Sequence, residues 1–98
     1  MALNIALKVN DLDNVATVFV NGIEANDQVE VRDSKGNRYP ITVSGPIPYG
    51  HKLAIDDIAV NSLIIKYGEE IGICSKPIKK GDHVHVHNLD SMRGRGDL

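Results

Sequence analysis

A chain of 98 residues has room for one modest core and no more, so a single domain over residues 1–98 is expected. Its 11 basic and 13 acidic residues are spread along the sequence and leave a net charge of −2, which is not the electrostatic footprint of a nucleic-acid binder. No cationic start leads into an apolar run and no apolar stretch approaches membrane length, while Cys74, the only cysteine, fits a reducing cytoplasm.

Aromatic residues are few, so β-branched aliphatics must build most of the core, and these favour strands. Residues 3–9 alternate, with Leu3, Ile5, Leu7 and Val9 on one face and Asn4, Ala6 and Lys8 on the other, which predicts a half-buried strand with the first set inward. Residues 15–20 are apolar on both faces apart from Thr17 and predict a more central strand. Asn21-Gly22, a pair that tolerates positive φ, then predicts a turn. Residues 29–32 and 38–43 flank the turn-rich Ser34-Lys35-Gly36-Asn37 and predict a hairpin. Pro40 cannot donate to a ladder and belongs on an edge.

Residues 44–50, with two prolines and two glycines, interrupt regular structure before His51-Lys52. Short apolar runs follow at 53–58, 62–67, 71–74 and 83–87, punctuated by turns at Val60-Asn61, Gly68-Glu69 and Lys80-Gly81-Asp82. Only residues 55–59 have the spacing for a turn of helix. The expected class is all-β with many short strands and no internal repeat. Residues 90–98 read as a loose polar tail.

The run 83–87 places His83, His85 and His87 at alternate positions, followed by Asn88. On an extended strand the three imidazoles share a face while Val84 and Val86 take the other, a pattern that suits a metal site or proton transfer as well as a solvated, histidine-rich face. His51 reads either as a base or metal ligand from a second segment or as a loop histidine bonded to backbone. Cys74, inside the run IGIC, reads as a small core residue, and the adjacent pairs Asp56-Asp57 and Glu69-Glu70 diverge too far to form an acid/base dyad.

Gly50-His51-Lys52-Leu53-Ala54, Asp57-Ile58, Ile65-Lys66-Tyr67-Gly68, Ile71-Gly72 and Val86-His87-Asn88 together resemble the SAF domain, in the version that opens altronate and galactarate dehydratases and forms the small subunit of sulfolactate sulfo-lyase. The resemblance covers residues 50–88. Val60-Asn61 stands where that family often has glycine, and asparagine tolerates the left-handed region better than most residues. The resemblance implies a small β-clip-like domain working beside a large catalytic subunit, in elimination chemistry on a small anionic hydroxy-acid, with a divalent metal such as iron(II). Within the histidine run the family pattern carries over from His85 onwards; His85 and His87, at positions i and i+2 of one strand, converge on one side as metal ligands, with Asn88 as an orienting residue behind them. The match at Gly50-His51-Lys52 favours His51 as the catalytic base, and Lys52, Arg93 and Arg95 are the cations that can meet substrate or partner. The alternative is a non-catalytic SAF module that docks on a partner or binds a carbohydrate-like ligand.

Overall fold

Four copies of one tight turn organise the structure. The computed structural model describes residues 4–91, and the turns close at Glu24–Asp27, Pro48–His51, Ala59–Ser62 and Lys79–Asp82 by a bond from the fourth residue's N–H to the first residue's carbonyl. The third residue of each, Asn26, Gly50, Asn61 or Gly81, has φ between 72° and 97°, the left-handed region that glycine and asparagine adopt most cheaply. In every copy the same two backbone groups, the third residue's N–H and the fourth residue's carbonyl, clamp one buried residue elsewhere in the chain: Val43, Val18, Cys74 and Ala54 in turn. An isoleucine precedes each turn, and these pair across the fold as Ile23 with Ile47 and Ile58 with Ile78. The expectation of no internal repeat therefore fails. The copies share only an isoleucine and a residue tolerant of positive φ, at unequal separations, so no fixed period marks them.

Between the turns run β1 (Ile5–Lys8), β2 (Val15–Val18), β3 (Gln28–Asp33), β4 (Arg38–Thr42), β5 (Lys52–Ala54), β6 (Leu63–Lys66), β7 (Glu69–Cys74), β8 (His83–Val84) and β9 (Leu89–Ser91). They form a six-stranded sheet in the order β4-β3-β1-β2-β5-β8 and a three-stranded sheet in the order β6-β7-β9. The all-β class holds, with no helix among the described residues; residues 55–59 bend into the Ile58–Ile78 bridge instead of making a helical turn. The core divides as the turns do. One cluster joins Ile23, Ile47, Val29, Leu53, Val18 and Val43, and the other joins Ile58, Ile78, Ile64, Val84, Ala54 and Cys74. Burial of each aliphatic side chain contributes about 1.5–3 kcal/mol.

The β3–β4 hairpin forms as expected, with Pro40 opposite Glu30 on the edge strand of its sheet. In β1 the inward face is the reverse of the expected one: Ala6 is fully buried, while Leu7 is 38% and Val9 46% exposed. Ala6 lies between Val18 of β2 and Val31 of β3, and a methyl group is what fits between two valines on the core side. The Lys66-Tyr67-Gly68-Glu69 turn puts both Tyr67 (φ 56°) and Gly68 (φ 76°) in the left-handed region, one residue earlier than expected. Buried Asp13 secures it: one carboxylate oxygen accepts the Gly68 N–H at 2.8 Å, and the other accepts the N–H groups of Val9 and Asn10.

Residues 1–3 and 92–98 lie outside the described residues, and with them Leu3, Arg93, Arg95 and most of the expected tail. Among the described residues, no helix is long and apolar enough to cross a membrane.

Candidate functional site

β5 and β8 are antiparallel neighbours with Leu53 opposite His83, so the turn before β5 delivers His51 to the side of His83. His51 is the fourth residue of its turn, where two of the other copies have aspartate. Asp27 and Asp82 fold back to accept the first residue's N–H, from Glu24 and Lys79 respectively, each at 2.9 Å. Pro48 occupies that first position in the His51 copy and has no N–H to give. The position is thereby free of its capping duty, and the imidazole turns to the histidines instead.

The strand expected over residues 83–87 stops at Val84. Residues 85–88 make a turn, closed by the Asn88 N–H on the His85 carbonyl at 3.0 Å. Asn88 is 6% exposed; its side-chain carbonyl accepts the His85 N–H and its amide donates to the His83 carbonyl, both at 2.9 Å. An asparagine that satisfies backbone groups on both sides of a bend stabilises a turn in competition with a ladder. Val86 consequently has no buried face to join and is 78% exposed. The chain then enters β9 and crosses from the larger sheet to the smaller.

As a result His51, His83 and His85 come together, with one ring nitrogen of each within 4.8 Å of the others, and His87 stands outside the group. His51 Nδ1 and His83 Nε2 share a hydrogen bond of 2.8 Å whose donor depends on the tautomer. The His51 and His85 rings stack 4.1 Å apart at 19°, and His83 stacks on both. His87 packs on the far side of His83, 5.2 Å away and tilted by 41°. Desolvation, reinforced by the neighbouring histidines and the Lys52 charge, lowers the pKa of His83 to about 4 and that of His85 in the same direction, so both are neutral at pH 7. Lys52 is half-buried, and burial followed by the charge of Lys66 lowers its own pKa.

Neutral imidazoles with free lone pairs are the donor set a divalent transition metal takes. His85 Nδ1 is buried with no hydrogen-bond partner, and His83 Nδ1 is engaged in no hydrogen bond among the described residues. The His85 nitrogen fits the role of metal ligand, and His83 Nδ1 does so only in the tautomer in which its Nε2–H donates to His51. The near-parallel stack is not a closed cage around a common centre, so ligands from outside this chain would have to complete the site.

A cleft of 290 Å³ opens beside the histidines. Two loop segments line it, Ser44-Gly45 and Lys76-Pro77, together with Asp82, His83, His87 and Asn88. The walls are tied down: Ser44 Oγ donates to Asp82 at 2.7 Å, the Ser75 N–H to the Asn88 carbonyl at 2.9 Å, and the buried Cys74 thiol to the Lys76 carbonyl at 2.8 Å. Lys76, Ser44 and the central place of His83 had no signal in the sequence beyond the position of His83 just after a Gly-Asp turn.

A model of the altronate/galactarate dehydratase SAF domain matches residues 4–92. The chain is 39% identical over 94 residues to the (2R)-sulfolactate sulfo-lyase subunit alpha of Chromohalobacter salexigens, covering 93% of this chain and 99% of that one. It is 35% identical over 60 residues to the subunit of the same name from Paracoccus pantotrophus, covering 61% of this chain and 90% of that one. It is also 35% identical over 99 residues to the altronate dehydratase of Escherichia coli strain K12, covering 94% of this chain but 19% of that one, so it spans about a fifth of the dehydratase. The chain belongs to the family of altronate/galactarate dehydratase SAF domains.

Proposed function

We propose that this chain is the small subunit of a two-subunit cytoplasmic lyase that releases sulfite from (2R)-sulfolactate, with the large subunit supplying the rest of the active site. The observation that carries this reading is end-to-end similarity to a subunit of that name, beside a histidine cluster and an open cleft of the kind that a second subunit completes. Water loss from a sugar acid such as altronate or galactarate is the second reading, favoured by the match to altronate dehydratase.

Sulfite elimination removes the proton on the hydroxyl-bearing carbon; that C–H pair becomes the new double bond, and the C–S bond breaks with its electrons leaving on sulfite. The resulting enol tautomerises to the 2-keto acid. His51 is the base in this reading. With its Nδ1–H donated to His83, its Nε2 lone pair is free to take the proton, and the hydrogen bond holds the ring while it is charged. Lys52, half-buried beside the cluster, meets the carboxylate. Arg93 and Arg95 add positive charge at the substrate or the docking surface. His85, whose Nδ1 lone pair is unengaged, is the residue of this chain that would hold a divalent metal, iron(II) in our reading, and that ion when bound would supply Lewis acidity toward the substrate carboxylate and hydroxyl.

The test is reconstitution. The chain and the product of the neighbouring reading frame, purified separately, are each expected to be inactive and to release sulfite from (2R)-sulfolactate when mixed; His51→Ala should abolish turnover while leaving the complex intact on gel filtration. Turnover by the chain alone, or a mixed complex inactive on both sulfolactate and altronate, overturns the reading.

A further inference from the structure

We propose that the cleft between Ser44-Gly45 and Lys76-Pro77 is the seat of the substrate's second anionic group, the sulfonate, and that His87 faces that group from within the cleft. This rests on the lyase reading and deepens it. Sulfolactate carries one charge at each end, and Lys52 beside the histidine cluster accounts for only one of them. His83 is common to the cluster and the cleft, so a short molecule bound at both would lie across it. Lys76 is exposed and has no carboxylate partner among the described residues, where Lys35 pairs with Asp11 and Arg32 with Glu30. The one carboxylate lining the cleft, Asp82, is already occupied: Oδ1 accepts the Ser44 hydroxyl and Oδ2 the Lys79 N–H. Asp82 keeps its negative charge but makes no ion pair with Lys76 among the described residues, so the Lys76 ammonium is open to an outside anion.

The backbone of that wall is fixed in advance. Cys74, fully buried, donates its thiol to the Lys76 carbonyl, and the Ser75 N–H bonds to the Asn88 carbonyl, so the backbone carrying Lys76 is fixed in a cleft that His87 also lines. A sulfonate has three acceptor oxygens, which a lysine and an imidazole N–H on opposite sides can share. His87 is thereby assigned to substrate and not to metal.

The 98-residue chain, labelled with nitrogen-15, is titrated at constant ionic strength with (2R)-sulfolactate, with inorganic sulfate and with lactate, which lacks the sulfonate. Saturable shifts at Ser44, Gly45, Lys76 and His87 are expected with the first two probes and not with lactate. Lys76→Ala should weaken binding about tenfold or more, Lys76→Arg should largely restore it, and Lys35→Ala, on the β3–β4 turn, should leave it unchanged. Absent or non-saturable shifts, equal response to lactate, or indifference to Lys76→Ala overturns the proposal. The two readings fail separately: a complex without lyase activity whose cleft still binds sulfate sinks the reaction and leaves the anion seat, and an active complex indifferent to Lys76 does the reverse.

Discussion

Moving the aspartate cap into the His51 turn tests whether Pro48 is what releases that histidine. In His51→Asp the new carboxylate meets a proline with no N–H, whereas in the double variant Pro48→Ala/His51→Asp it should accept the backbone N–H restored at position 48, as Asp27 and Asp82 accept theirs at 2.9 Å. A charge-assisted cap of this kind contributes about 1–2 kcal/mol. Pro48→Ala alone loses stability through the freer unfolded chain, by about 0.4–1 kcal/mol, and loss of the histidine stack adds its own cost, but both effects cancel in a double-mutant cycle. The expected coupling is therefore about 1–2 kcal/mol, favouring the double variant, and corresponds to roughly 5–15 °C in melting temperature for a domain of this size. Urea denaturation of the four proteins at pH 7 measures it. A coupling within about 0.3 kcal/mol of zero would show that the four turns are alike in outline only and that Pro48 does not free His51.

Asn88→Ala removes two part-buried hydrogen bonds and leaves the His85 N–H and His83 carbonyl without the Asn88 side chain, so it should cost about 1–3 kcal/mol and shift the ring resonances of both histidines; a stable variant with unmoved signals contradicts the role of Asn88 in the turn. Gly81 and Gly50 both have positive φ, but a Cβ at Gly81 would strike the Thr42 carbonyl while one at Gly50 meets nothing within 4 Å. Gly81→Ala should thus cost at least about 1 kcal/mol more than Gly50→Ala, whose strain alone is about 1–2 kcal/mol, and equal thermal shifts would count against this packing. In chelator-treated protein, the folded state keeps His83 neutral down to about 4 while the unfolded chain protonates it near 6.5. Between those values the unfolded state binds more protons, so stability falls as pH drops from about 6.5 to about 4 and is flat below. Since His83 is partly solvated, the share is about 1–2 kcal/mol, and His83→Gln should lose that much less in urea midpoints between about pH 7 and 4.5.

Local chemistry was the readable part of the sequence. Pro40 declared an edge, Ser34 to Asn37 a hairpin turn, and Asn61, with φ 72°, a left-handed position. Alternation over residues 3–9 gave two faces but not which one the core would take, since that depends on the valines flanking Ala6 from strands far away in sequence. The alternating histidines misled for a related reason. His-Val-His-Val-His has the period of a strand, but Asn88 competes for the backbone and bends it, and nothing within the run announces that an asparagine one residue later will win. Asp13, which secures the Tyr67-Gly68 turn across 55 residues, is invisible to any short window, and so was the partnership of His51 with His83.

The thiol of Cys74 makes the molecule its own gauge of opening. With the sulfur fully buried, bonded to the Lys76 carbonyl and packed in the core with Ile58 and Ile78, a thiol reagent can reach it only when the structure around it opens. Because it is the sole cysteine, the modification rate has one source. When reclosing is fast, that rate divided by the rate for an unprotected thiol is the fraction of time the thiol is exposed. A ligand or partner subunit seated against the wall would slow modification in proportion to its occupancy, so binding can be timed on the native chain with no label added.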